Sequence, residues 1–81
     1  MIHNIIEYDS KFYMIFNQHK YTDYEYYLTV DIFGHTNLIV CSSHLIKILS
    51  LENQIILYKK YFTEYAKLPE HLVKSNLIEK L

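Results

Sequence analysis

Arginine is missing from this chain of 81 residues: all eight basic residues are lysines, set against nine carboxylates for a formal net charge of −1. Proteins that grip DNA or RNA usually carry a basic excess and lean on arginine for bidentate contacts, so direct nucleic-acid binding is disfavoured. A single cysteine, Cys41, permits no internal disulfide, which fits a reducing compartment. A single glycine, Gly34, leaves no glycine-rich loop to cradle a phosphate or an oxyanion. Apolar runs are too short to span a bilayer. The opening stretch MIHNIIEYDS puts no basic segment ahead of an apolar one, so it does not read as a signal peptide. The expectation is a cytoplasmic protein without membrane association.

What is present argues for a folded domain. Half of the residues are hydrophobic (51%) and 21% are charged, a balance that excludes intrinsic disorder. The length suffices for one domain with one modest core. Ile, Lys, Asn and Tyr are abundant while Arg is absent, a usage that suggests an AT-rich genome such as that of a low-GC bacterium or its phage.

The most regular pattern lies between Ser42 and Lys67. Ile48, Leu51, Ile55, Tyr58, Phe62 and Tyr65 recur with alternating gaps of three and four, the apolar stripe of a helix. The spacing predicts a long helix over 43–67, capped by Ser42 or Ser43 and closed ahead of Pro69. Ser50, followed by Leu51 and Glu52, offers a second N-cap and therefore a break. Upstream, four strands are expected at 2–8, 11–17, 24–33 and 36–41, and downstream a short helix at 69–80. Asp9-Ser10 reads as a turn, and Gly34-His35 as a two-residue hairpin turn. The simplest assembly is an α+β domain: a four-stranded antiparallel meander followed by the long helix, broken or unbroken at Ser50, and the short one.

Chemistry has little to build on. Cys41 and His44 have C-x-x-H spacing, but a structural zinc site needs a second ligand pair that is missing. The same two residues could form a thiol nucleophile and its base at a helix N-terminus, yet orienting and oxyanion groups are lacking. Glu25 and Asp31 share a strand face about 20 Å apart, too far for paired-carboxylate catalysis. No catalytic residue, metal or cofactor is expected.

Tyrosines are the most distinctive feature, with Tyr21, Tyr24, Tyr26 and Tyr27 crowded beside Asp23 and Glu25. Tyr24, Tyr26, Leu28, Val30 and Ile32 alternate as an apolar, core-facing set, joined by Leu38 and Val40. Tyr13, Glu25, Tyr27 and Asp31 fall on the other face, which has no evident cover and is therefore a candidate protein interface. On the long helix, Leu57 and Tyr61 lie one turn apart and face away from both sheet and terminal helix, a candidate homodimer contact. The function this leaves is non-catalytic protein binding. Its concrete form is an inhibitor carried by a phage or mobile element and aimed at a host nucleic-acid enzyme, of the anti-CRISPR or anti-restriction type. A bacterial immunity or antitoxin protein is the runner-up, and a thiol or metal enzyme using Cys41 and His44 the third reading.

Overall fold

In the computed structural model, which describes residues 2–80, five antiparallel strands form one sheet in the spatial order β4-β3-β2-β1-β5. They are β1 (Ile5–Tyr8), β2 (Lys11–Lys20), β3 (Glu25–Asp31), β4 (Thr36–Cys41) and β5 (Lys47–Ile48). The α+β class and the meander of the first four strands follow the sequence pattern. The fifth strand comes from a stretch whose spacing had suggested helix.

Local chemistry sets each hairpin. At the β1–β2 turn, Asp9 (φ 51°) and Ser10 (φ 61°) both take the left-handed conformation that a two-residue turn of the mirror-image type demands. The β3–β4 turn differs from the expected Gly34-His35 pair. The Gly34 N–H donates to the Asp31 carbonyl at 3.1 Å and the Asp31 N–H to the His35 carbonyl at 2.9 Å. Ile32, Phe33 and Gly34 therefore form a three-residue loop, with only Gly34 at positive φ (84°). The Asp31 carboxylate steadies it by accepting from the N–H groups of Phe33 (3.0 Å) and His35 (2.9 Å).

The helix expected over 43–67 does not start at Ser42, whose side chain caps nothing. Ser43–Leu45 makes a single 3₁₀ turn, and Lys47–Ile48 then pairs with β1 through Ile6↔Ile48 and Glu7↔Lys47. This pairing satisfies the outer backbone edge of β1, a gain that helical hydrogen bonds over the same residues would forgo. The alternative start is the one used: Ser50 accepts from the Asn53 N–H at 3.2 Å and caps α1 (Leu51–Leu57). The helix continues as a π-helical segment, Tyr58–Phe62. Of the apolar stripe, Ile55, Tyr58 and Phe62 are buried, whereas Ile48, Leu51 and Tyr65 are exposed. The terminal helix is also shorter than expected. α2 spans Glu70–Lys74, and Asn76 (φ 61°) turns the chain in the left-handed conformation common just past a helix end.

Two clusters, one on each face of the sheet, make the core. On the first face Ile5, Met14 and Val30 meet Ile55, Tyr58 and Phe62 of the helix and Leu72 of α2. Truncating a buried side chain such as Phe62 to alanine costs about 3–5 kcal/mol in cores of this kind. The second cluster holds Ile6, Tyr13, Ile15, Tyr27, Ile39 and Cys41 from the strands and Ile46 from the β4–β5 crossing. Among the described residues no helix contributes to it, so the sheet itself curls around it with the crossing segment as the seal. A bulge aids the curl: the β2–β3 register shifts between Ile15 and Asn17, leaving Phe16 without a partner. Beyond that bulge the alternation of β2 inverts, and Gln18 comes to lie opposite Tyr27. No helix among the described residues is long and apolar enough to cross a membrane.

Candidate protein-binding surface

The helices are too short to cover the whole first face. They close over Ile5, Met14 and Val30 and leave the far end of β3 and β4 bare. Two cross-strand rows occupy that end: His19↔Tyr26↔Val40 and Asn17↔Leu28↔Leu38. Leu28, Leu38 and Val40 keep 40%, 64% and 48% of their surface open to solvent. This corrects the expectation that the even-numbered set Tyr24, Tyr26 and Leu28, with Leu38 and Val40, faces the core along its whole length. Only Val30, and in part Ile32, does so.

Around this block the β2–β3 loop builds an aromatic cluster. The Tyr21 N–H donates to the Tyr24 carbonyl at 2.8 Å, folding the loop back on itself. Tyr21 stacks on Tyr24 with ring centroids 5.2 Å apart, and Tyr26 meets both edge-on at 5.0 and 5.5 Å. His19 lies over Tyr21 at 4.8 Å. The Tyr24 hydroxyl beside it, and secondarily Tyr24's charge, raises the Tyr26 phenol above its ordinary range. Such ring pairs are each worth about 0.5–1.5 kcal/mol beyond their area burial, which favours the clustered arrangement of the loop. Asn17, Gln18, His19, Tyr26, Leu28 and Leu38 line a shallow groove of about 240 Å³ here.

The residues singled out from the sequence lie elsewhere. Tyr13, Glu25 and Tyr27 are interior, not an uncovered face, because the sheet curls over them; Tyr27 is 0% exposed. The Tyr27 hydroxyl donates to the Glu25 carboxylate, and Gln18 Nε2 donates to the same group at 3.5 Å, so the buried charge has partners. Burial first, and the bond to Glu25 second, drive the Tyr27 phenol well above its usual range. Asp31 is half-buried in its hairpin turn. Burial pushes its carboxyl up, but donors from His35, Asn37 and Phe33 outweigh that and hold it low. Leu57 and Tyr61 do not face away from the molecule; both pack half-buried against the first core cluster. Tyr13, Asp31 and Tyr61 do come together, with Lys11, Phe33 and Asn37, around a cavity of about 400 Å³.

Cys41 is buried, and burial followed by the nearby Glu25 carboxylate pushes its thiol up, away from the thiolate a nucleophile needs. His44 is exposed on the 3₁₀ turn and not at a long helix's N-terminus. Among the described residues no three His, Cys, Asp or Glu side chains gather as metal ligands would. The sequence signal that could have located the surface is Tyr13, Ile15 and Ile39: apolar residues on the face opposite Met14 and Val30 mean a sheet buried on both sides, so some apolar set must run out of cover. No protein-family model matches the chain, and neither the curated proteins nor the solved structures offer a significant match.

Proposed function

We propose that this chain is a non-catalytic binding protein that docks a protein partner on the uncovered end of its sheet. The observation that carries the reading is the exposed block of Leu28, Leu38 and Val40 beside half-buried Tyr26, flanked by stacked Tyr21 and Tyr24. From the usual areas of such side chains the block presents on the order of 500 Å² of mainly apolar surface, toward the top of what a monomer leaves open and a size often tied to function. Tyrosines supply large contact area at low entropic cost, which suits a binding surface. No charged residue belongs to the block; Lys20 and Asp23 line a neighbouring pocket with Tyr21 and Tyr24.

Its concrete form is an inhibitor from a phage or mobile element that acts on a host nucleic-acid enzyme by contacting the enzyme's protein surface. Support for that form is limited to small size, a net charge of −1 without arginine, and the AT-rich style of composition. The test is capture from a low-GC bacterial lysate on immobilised wild-type protein and on Tyr24→Ala. A partner held by the wild type and lost from Tyr24→Ala is the expected result. Equal capture by both, or none by either, overturns the reading.

A further inference from the structure

We infer that the free edge of β4 pairs antiparallel with the β4 edge of a second copy of this chain, joining two sheets into one across a two-fold axis. β4 is the terminal strand of the sheet. Its six residues, TNLIVC, include no charge and no proline. Exposed edges are normally blunted by lysine, proline, a bulge or a covering loop, because their free N–H and C=O groups otherwise template pairing. Here the blunting is missing. Among the described residues, no backbone hydrogen bond outside the β3–β4 ladder involves residues 36–41. The only other bond to their backbone is from the Thr29 hydroxyl to the Asn37 carbonyl at 3.1 Å, from the β3 side.

The alternation of the strand suits a copy of itself. Leu38 and Val40 are exposed on one face while Ile39 and Cys41 are buried on the other. A two-fold axis through Ile39, perpendicular to the sheet, sets Leu38 beside Val40 of the second copy and Val40 beside its Leu38. Each such cross-strand apolar pair is favourable, and no like charges are brought together. The row Tyr26↔Val40 then runs on into Leu38 and Leu28 of the second copy, so the docking block described above doubles into one continuous platform. The β5 edge cannot substitute: β5 has two residues, too few to extend a ladder head to tail. The two-fold arrangement is the one that closes. A six-residue edge buries less than the roughly 800 Å² per partner of standard interfaces, so the dimer belongs in the micromolar range.

This inference shares Leu38 and Val40 with the proposed docking block but uses their backbone edge, which allows the two to be tested apart. Sedimentation from micromolar to near-millimolar concentration should carry the apparent mass from 9.8 kDa toward twice that value. Val40→Lys, with an unchanged far-ultraviolet spectrum, should weaken the dimer at least tenfold. In the wild type, amide exchange within residues 36–41 should slow as concentration rises, a readout that stands even if the variant fails to fold. A chain that stays at 9.8 kDa throughout overturns the pairing. So does a dimer whose β4 amides exchange at a rate independent of concentration. Tyr24→Ala should keep the dimer while losing captured partner; capture by a strictly monomeric chain would sink the pairing and leave the docking surface standing.

Discussion

Gln54 Oε1 lies 2.8 Å from Nε2 of His71, which joins α1 to α2 inside the molecule. The same oxygen accepts from the Ile5 N–H at 3.1 Å, and Gln54 Nε2 donates to the Leu49 carbonyl at 2.8 Å. Because the amide nitrogen is committed to a carbonyl, the oxygen must face Ile5 and His71, and the imidazole must therefore carry its proton on Nε2. One buried side chain thus ties the first strand, the approach to α1 and the terminal helix together. Gln54→Met keeps the volume and removes both functions, stranding the fully buried Ile5 N–H. The expected loss is about 2 kcal/mol, the cost of an unsatisfied buried donor. An unchanged urea midpoint would show that the hub adds nothing.

His71 also makes stability depend on pH. Burial first, then the neighbouring His3, lowers its pKa below the ordinary histidine value. A histidine depressed in the folded state contributes stability that is complete above its unfolded pKa and is lost as pH falls through the folded one. The difference in unfolding free energy between wild type and His71→Gln should therefore be flat above about pH 7 and should shrink as pH drops below about 6.5, the ordinary histidine range. A difference that instead grows on acidification would contradict the assigned direction.

Ser50 separates two accounts of the helix. Its hydroxyl accepts from the Asn53 N–H, whereas Ser42 makes no such bond. Ser50→Ala should cost about 1 kcal/mol, the usual loss for a capping residue. Ser42→Ala should leave the denaturation midpoint where it is. The reverse order would place the helix start at the wrong serine.

Much of this architecture can be read from residue spacing, and the exceptions have physical causes. Alternation located the four strands of the meander, and Ser50-Leu51-Glu52 carried the N-cap signal that proved decisive. The 3.6-residue stripe extended too far upstream because Leu45 and Ile48 fit a helix and a strand equally well. Only the free edge of β1 breaks that tie, and an edge is a tertiary fact. The faces of β3 run against their hydropathy for a similar reason. Tyr24, Tyr26 and Leu28 are the more apolar set, yet Glu25, Tyr27 and Thr29 are the interior ones over the same stretch. Glu25 and Tyr27 satisfy each other, which makes burial of a carboxylate tolerable, and the bulge at Phe16 lets the sheet curl over them. Neither local alternation nor hydropathy records such a pairing. Leu57 and Tyr61 pack half-buried against the first core cluster, a placement set by tertiary contacts that spacing along the helix does not record.

The β1–β2 turn holds removable strain. Asp9 and Ser10 both sit at positive φ, where an L-residue pays about 1–2 kcal/mol relative to glycine. Ser10→Gly relieves that at one position, against about 0.5–1 kcal/mol for the extra freedom of glycine in the unfolded chain. The net expectation is a gain of about 0.5 kcal/mol, visible as a higher thermal midpoint. A lower midpoint would mean that the Ser10 side chain contributes more than its backbone strain costs.

At the other hairpin the same substitution in reverse should do harm through two separable effects. Gly34 has φ +84°, and a Cβ built there would fall 2.7 Å from Cε1 and 2.9 Å from Cζ of the Tyr65 ring. Backbone strain alone predicts a loss of about 1–2 kcal/mol for Gly34→Ala. The overlap with Tyr65 adds to it, unless that ring, which is 40% exposed, swings outward. A double-mutant cycle separates the two contributions. In a Tyr65→Ala background Gly34→Ala should cost only the strain, so a positive coupling means the ring holds its place over the turn. Coupling near zero, with the full loss retained, would mean that the ring yields freely and that φ alone explains the glycine. A Gly34→Ala variant as stable as the wild type would refute both the turn geometry and the contact.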